Sequence, residues 1–179
     1  MSFNLKYESG HKKRFSNSLK LMERFVPSKE MKILDLGAAN PLSTLMKENG
    51  FKVENTPDGL DLDTSSEWLK NETSDILTAF EIFEHLTNPF QILVQTSAKR
   101  LITTVPLNLW FAEAYRNKTD SWDRHYHEFE DWQFDMLLQR TGWKIIHAEK
   151  WKVYDNKIGI RPILRRFYPR IYAVVADRI

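Results

Sequence analysis

Apolar residues near the N-terminus recur at the spacing of one helix face. They are Phe15, Leu19, Met22, Phe25 and Val26. A helix with 3.6 residues per turn gathers such positions into one stripe, and the basic residues between them fall on the opposite side. Pro27 ends the pattern because proline cannot continue a helix. We therefore predict an amphipathic leading helix within residues 1–30.

Short apolar runs alternate with helical patterns along the rest of the chain. The runs predict strands at residues 31–37, 51–53, 75–80, 101–106, 143–153 and 172–176. Helical spacing predicts helices at residues 41–49, 88–98, 130–140 and 162–167. Strands that alternate with helices predict a mostly parallel α/β sheet covered on both faces, with ligands at the carboxyl ends of the strands.

Length and composition limit the class of protein. A chain of 179 residues suits one domain, so we expect a single unit over 1–179, with a leading helical segment at 1–30 and a final helix and strand at 154–179. The absence of cysteine excludes disulfides, thiolate metal ligands and a cysteine nucleophile. No run is long and apolar enough to span a membrane, and the N-terminus lacks an apolar signal sequence. We expect a cytoplasmic protein.

The net charge of +2 hides an uneven distribution. Residues 1–32 carry eight Lys or Arg against three Glu, residues 157–179 carry six against one Asp, and the stretch between them sums to −8. The basic C-terminal segment can contact a phosphate, a nucleic acid or a lipid surface, or it can be a helix whose arginines reach into solvent. Both interpretations stay open, including peripheral membrane contact.

The segment 33–41 joins an acidic residue to a turn that contains glycine. Its sequence, Ile-Leu-Asp-Leu-Gly-Ala-Ala-Asn-Pro, resembles motif I of the class I methyltransferases that use S-adenosylmethionine (SAM). The resemblance implies that Asp35 hydrogen-bonds the turn or the amino-acid part of SAM. It also implies that Gly37 and Ala39 let the backbone approach the cofactor. Of the three glycines in the family pattern only Gly37 is present, and Ala39 and Pro41 stand at the other two positions.

Three later segments resemble the same family in the same order. Residues 74–86 contain a strand followed by Glu-x-x-Glu-His-Leu, residues 101–106 end in Val-Pro, and residues 125–129 read His-x-x-Glu-Phe. The chain is thus similar to small members such as the methyltransferases of ubiquinone biosynthesis. That resemblance implies a Rossmann-like, doubly wound, mostly parallel sheet of about seven strands with the last antiparallel, abbreviated between strands two and four. It also places Phe80 and Glu81 beside the methionine moiety.

The acid that binds the cofactor ribose has no single counterpart in the sequence. In the family this carboxylate ends strand two, but here too few residues follow Val53 for a usual helix and strand. Asp58 and Asp61 are the candidates, with Glu54 behind them. A carboxylate at this point can accept hydrogen bonds from both ribose hydroxyls. The same acids also suit a solvent-exposed Asp/Gly turn.

These features predict methyl transfer from SAM to an oxygen of a small molecule or saccharide, with a nitrogen as the second choice and S-adenosylhomocysteine (SAH) as product. His85, His125 and His127 are candidate general bases, because the ordinary pKa of histidine lies near neutrality. One alternative is a metal-dependent RNA 2′-O-methyltransferase, since Glu81, Glu84, His85 and His127 resemble the magnesium site of such enzymes. Another is a non-catalytic SAM-binding scaffold. We expect no required metal, and an acidic centre makes nucleic acid a poor expected acceptor.

Overall fold

The computed structural model describes residues 9–65, 67–113, 115–120, 122–153, 164 and 166–179. Helices are α1 Ser9–Phe25, α2 Pro41–Glu48, α3 Trp68–Asn71, α4 Pro89–Gln95 and α5 Asp131–Arg140, with a 3-10 turn at Phe83–His85. Strands are β1 Lys32–Asp35, β2 Lys52–Asn55, β3 Ile76–Phe80, β4 Arg100–Pro106, β5 Trp143–Trp151 and β6 Ile171–Arg178. The predicted leading helix is confirmed. The predicted helix at 162–167 lies largely outside the described residues.

The six strands form one sheet in the order β2-β1-β3-β4-β6-β5. β1 pairs in parallel with β2 and β3, and β3 pairs in parallel with β4. β6 lies between β4 and β5 and is antiparallel to both. The predicted α/β class and the antiparallel last strand are confirmed. The described residues contain six strands rather than about seven, since the segment between β2 and β3 forms only the short helix α3.

Two hydrophobic clusters cover the two faces of the sheet. Alternation along β1 sends Ile33 into the cluster that includes α1 and α2, while Leu34 enters the cluster that includes α4 and α5. Side chains of a strand point alternately to opposite faces, so each neighbouring residue joins the other layer. This arrangement leaves the carboxyl ends of β1, β3 and β4 as the edge on which loops can build a site.

The start of α2 is fixed by a capping box. The Asn40 side-chain oxygen accepts hydrogen bonds from the backbone N–H groups of Leu42 and Ser43, and the Ser43 hydroxyl accepts one from the Asn40 N–H. Pro41 occupies the first turn, as the sequence predicts, where its missing N–H costs nothing. The turn after β1 therefore leads into a helix whose position is well determined.

No helix in the described ranges has the length and apolar character needed to cross a bilayer.

Candidate functional site

The turn that follows β1 needs a glycine at position 37. Gly37 has φ +97°, and a Cβ there would lie 3.2 Å from Cδ1 of Ile82. Its N–H donates a hydrogen bond of 3.0 Å to the Thr56 hydroxyl, which ties the turn to the end of β2. Any residue with a Cβ atom would be strained in this backbone conformation. Gly37 is thus a structural requirement for the close turn predicted from motif I.

Asp35 is buried beneath that turn rather than exposed in a pocket. It is 2% exposed, its carboxylate accepts a 2.6 Å hydrogen bond from the Thr78 hydroxyl, and the Asn55 side-chain amide donates another at 3.1 Å. Burial raises the pKa of Asp35 to about 7, and the hydrogen bonds from Thr78 and Asn55 oppose that rise. The Asn55 amide also lies 3.4 Å from the Gly37 carbonyl oxygen, to which it donates. Asp35 therefore supports the turn through Asn55.

A pocket of about 690 Å³ opens beside this turn. Its wall includes the turn residues Gly37 and Ala38, the segment 57–63, and Ile82, His85 and Leu86 from the region after β3. Asp58 and Asp61 both line it, so the structure brings the two ribose candidates to the same pocket as Gly37. Further wall residues are Asp120, Trp122 and Tyr126.

The end of β2 explains why the ribose acid was ambiguous. β2 ends at Asn55, which is paired in register with Asp35, so an amide occupies the strand end where the family resemblance implies an acid. Glu54 lies outside the pocket: its carboxylate is 63% exposed and lies 3.2 Å from the Lys32 ammonium nitrogen. Asp63 accepts hydrogen bonds from the N–H groups of Thr87 and Asn88. Asp58 and Asp61 both line the pocket, and one Asp61 carboxylate oxygen accepts a 3.0 Å hydrogen bond from the Asp63 N–H.

A second pocket, of about 370 Å³, also borders the segment after β3, through Glu81. It is lined mainly by charged and polar side chains, among them Arg14, Glu81, Glu113, Tyr115, His125, Glu128 and Arg170. Glu81 has φ 56°, a conformation that is uncommon for a residue with a side chain. One Glu81 oxygen forms an ion pair with Arg14 of α1, and the other is buried with no hydrogen-bond partner.

Glu84, His85 and His125 meet at the junction of the two pockets. Each offers a ligand atom, and the three atoms lie within 4.8 Å of one another. His85 lines the larger pocket and His125 the smaller. Glu84 is fully buried, neither carboxylate oxygen has a hydrogen-bond partner, and burial raises its pKa to about 8. Burial, followed by the neighbouring His125, lowers the pKa of His85.

Besides the buried Asp35, three predicted site residues do not reach either pocket. Among the described residues that line the two pockets, Ala39, Phe80 and His127 do not occur. Ala39 is exposed while its neighbour Ala38 lines the larger pocket. Phe80 packs against the cluster formed with α1 and α2, and the ring of His127 stacks on Phe129. Their proposed contacts with cofactor or acceptor thus have no geometric support here.

Four residues of the candidate site were not predicted from the sequence. They are Arg14, Asn55, Thr56 and Glu128. Asn55 and Thr56 directly follow the second predicted strand, so their place at a parallel-strand carboxyl end was a usable signal. Arg14 lies far from β3 in the chain, and only packing of α1 over the sheet brings it to Glu81. Glu128 belongs to the His-x-x-Glu-Phe segment, of which only the histidines were predicted as site residues.

The architecture matches solved structures of known proteins. A SAM-dependent methyltransferase from Archaeoglobus fulgidus aligns with TM-score 0.60 and 15% identity, covering 92% of this chain and 94% of its own. The 1,6-didemethyltoxoflavin-N1-methyltransferase of Burkholderia thailandensis, solved with SAH bound, aligns with TM-score 0.60 and 15% identity, covering 96% and 79%. The [4+2]-cyclase SpnF aligns with TM-score 0.58 and 13% identity, covering 92% and 81%.

No protein-family model matches the chain, and no curated protein matches it significantly. The structural matches confirm at the level of the fold the resemblance seen in the motifs: the chain has the Rossmann-like fold of SAM-dependent methyltransferases. SpnF shows that this fold also occurs in a protein named for a different reaction. The function therefore has to be argued from the residues of the two pockets.

Proposed function

We propose that this chain is a SAM-dependent methyltransferase, with the cofactor in the larger pocket and a hydroxyl-bearing small molecule or saccharide in the smaller one. The observation that carries the proposal is the adjacency of the two pockets, because His85 of the larger one and His125 of the smaller one contact each other with ring centroids 4.8 Å apart. Gly37, Asp58 and Asp61 line the first, Glu81 and His125 line the second, and Glu84 with His85 lies between them. A cofactor and an acceptor bound on the two sides would meet at that junction.

Several residues suit the cofactor. Gly37 allows the backbone to approach it closely, and Asp58 or Asp61 can accept the hydrogen bonds of ribose hydroxyls. Bound SAM would supply a methyl group that is already activated by its sulfonium sulfur. The chain then has to hold the acceptor oxygen in line with that methyl group, and correct placement alone lowers the barrier by a large factor.

The smaller pocket suits a hydroxylated acceptor because two buried polar atoms of its described wall residues lack hydrogen-bond partners. A buried oxygen of Glu81 and the Nδ1 atom of His125 have no hydrogen-bond partner. Glu128 accepts a 3.1 Å hydrogen bond from the Tyr115 N–H and lies 3.8 Å from His125 Nδ1. Buried polar groups without partners are costly, so a ligand with several hydroxyl groups would stabilise them. His85 and His125, at the junction, are the candidates for activating the acceptor hydroxyl.

A nucleic acid is a weaker proposal for the acceptor. Acids surround both pockets, with Asp58, Asp61, Asp63 and Asp120 at the larger and Glu81, Glu113 and Glu128 at the smaller. Phosphate neutralisation by Lys and Arg supplies much of the affinity for nucleic acids, and acids at the pocket walls oppose it. Membrane contact by the basic segment stays a prediction, because residues 154–163 lie outside the described ranges. The cytoplasmic location stays a prediction as well.

The ribose acid can be found with two substitutions. We expect one of Asp58→Asn and Asp61→Asn to lower SAH affinity about tenfold, or about 1.4 kcal/mol, because an amide accepts hydroxyl hydrogen bonds less well than a carboxylate. The measurement is calorimetric titration of each folded variant. Glu54→Gln is the matched control and should bind like wild type, since that carboxylate lies on the surface beside Lys32. Wild-type affinity in both Asp variants would place the ribose elsewhere.

Methyl transfer itself is tested by incubating the chain with methyl-labelled SAM and a panel of mono- and disaccharides, phenols, amines and thiols. We expect label to appear in a hydroxylated acceptor and SAH to form in equal amount. Glu128→Gln should slow transfer and leave SAH binding unchanged. Glu128 lines the smaller pocket and is not among the described residues that line the larger one. Transfer to amines or thiols alone, or SAH binding without any transfer, would contradict oxygen methylation.

A further inference from the structure

The cluster at the pocket junction has the composition of a metal site. Glu84 offers a carboxylate, and His85 and His125 offer imidazoles, with their ligand atoms within 4.8 Å of one another. Three atoms that each lie about 2.1 Å from one ion in tetrahedral geometry are about 3.4 Å apart. Side-chain movements of up to roughly 1 Å would therefore suffice to close the cluster around an ion.

The buried carboxylate of Glu84 independently points to a ligand. Its side chain is 0% exposed, and both oxygens lack a hydrogen-bond partner. A carboxyl group in that state is costly, because the loss of water on burial outweighs the nearby backbone N–H and the charge of Arg14. Arg14 pairs with Glu81 and lowers the pKa of Glu84, whereas the neighbouring carboxylate of Glu128 raises it. Three carboxylates thus stand against one guanidinium at this place. The local charge therefore favours a bound cation.

The ring of His85 is held in the tautomer that a metal needs. Its Nδ1 lies 3.2 Å from the backbone carbonyl oxygen of Arg124. A carbonyl oxygen only accepts, so Nδ1 carries the hydrogen and Nε2 keeps its lone pair. That Nε2 atom faces Glu84, at 3.9 Å from Oε1. Metal-binding histidines commonly donate their other ring N–H to a carbonyl or carboxylate in this way.

The backbone fixes the position of His125 beside Glu84. The carbonyl oxygen of Glu84 accepts hydrogen bonds from the N–H groups of Tyr126 and His127, at 2.7 and 3.2 Å. These bonds tie the 3-10 turn to the loop and leave the preceding ring, that of His125, edge-on to His85 with centroids 4.8 Å apart. His127 follows on the same loop, but its ring stacks on Phe129 and is not part of the cluster.

We propose that Glu84, His85 and His125 bind a divalent first-row transition metal at the junction of the two pockets. Two imidazoles with one carboxylate suit ions of the Zn²⁺, Co²⁺ and Fe²⁺ kind better than Mg²⁺, which prefers oxygen ligands. The assignment differs from the one that motif resemblance implied, because Glu81 and His127 are outside the cluster, and it revises the expectation of a metal-free site. Binding of the ion does not depend on SAM. Its further role, to hold the acceptor oxygen at an open coordination position, rests on the proposed function.

The test is titration of the chelator-treated full chain with Co²⁺, followed by visible d–d absorption, and with Zn²⁺ in competition, both without SAM. We expect one equivalent to bind, His125→Ala to weaken binding at least tenfold, and the matched control His127→Ala to bind like wild type. Glu84→Gln keeps the side-chain shape and should also weaken binding tenfold. This second variant tests the site even if His125→Ala fails to fold.

Three results would overturn the proposal. They are no uptake of Co²⁺ or Zn²⁺ by the folded wild type, equal uptake by wild type and His125→Ala, and loss of binding in His127→Ala. Uptake of Mg²⁺ alone would contradict the metal class. SAH titration of the same samples distinguishes the two proposals. Metal uptake without SAH binding would contradict only the methyltransferase assignment.

Discussion

The free energy of unfolding is expected to fall by on the order of 4 kcal/mol, through Asp35 alone, as the pH rises from about 4 to about 8. Burial raises the pKa of this carboxyl from 3.8 to about 7. The folded state therefore keeps a proton that the unfolded state releases near its ordinary pKa. Because the native state binds the extra proton, the stabilisation is complete below the unfolded pKa and is lost as the pH climbs through the folded one.

Urea unfolding at a series of pH values in chelator measures this effect. Asp35→Asn is the matched variant, since it keeps the shape of the side chain and cannot titrate. We expect the free energy of unfolding of this variant to fall less steeply than that of wild type between about pH 4 and about pH 8. The difference between the two curves is the contribution of Asp35. Other buried acids contribute equally to both proteins. Parallel curves for wild type and Asp35→Asn would show that Asp35 titrates alike in both states.

Gly37→Ala is expected to lower SAH affinity tenfold or more, about 1.4 kcal/mol. The native φ of +97° is strained for alanine, and the new methyl group would lie 3.2 Å from Cδ1 of Ile82. Relief of the strain requires the turn to move, which disturbs the hydrogen bond from Gly37 to Thr56 and one wall of the larger pocket. Calorimetry on the folded variant gives the affinity, and thermal unfolding gives the loss of stability.

The matched control is Gly142→Ala. Gly142 also has a positive φ, +83°, but it lies in the tight connection between α5 and β5. Alanine there should cost a similar strain, about 1 to 2 kcal/mol of stability, without changing SAH affinity. Equal SAH binding by Gly37→Ala and wild type would refute the role given to the turn.

Much of the fold followed from local patterns. The apolar stripe ending at Pro27 gave α1, and the alternation of apolar runs with helical spacing gave the β/α order. Short-range signals such as Asn40-Pro41 located the start of α2, since capping depends on neighbouring residues. The expectation of about seven strands came from the resemblance, and among the described residues the segment between β2 and β3 holds only the four-residue helix α3.

The site was less predictable because its contacts join distant parts of the chain. Asp58 and Asp61 could be placed near Gly37, since they follow a strand parallel to the one before the turn. The ion pair of Arg14 with Glu81 depends on how α1 packs, which no local pattern encodes. The choice of His125 over His127 depends on which face of an irregular loop points inward. Period-based reasoning applies to helices and strands, and it gives no orientation for such a loop.

Calorimetric titration of the wild-type chain with SAH tests the central claim most directly. The account predicts one site with a dissociation constant of micromolar order, or roughly −8 kcal/mol. Absence of binding by a folded sample across the millimolar range would contradict the assignment of the larger pocket to SAM, and with it the proposed methyl transfer.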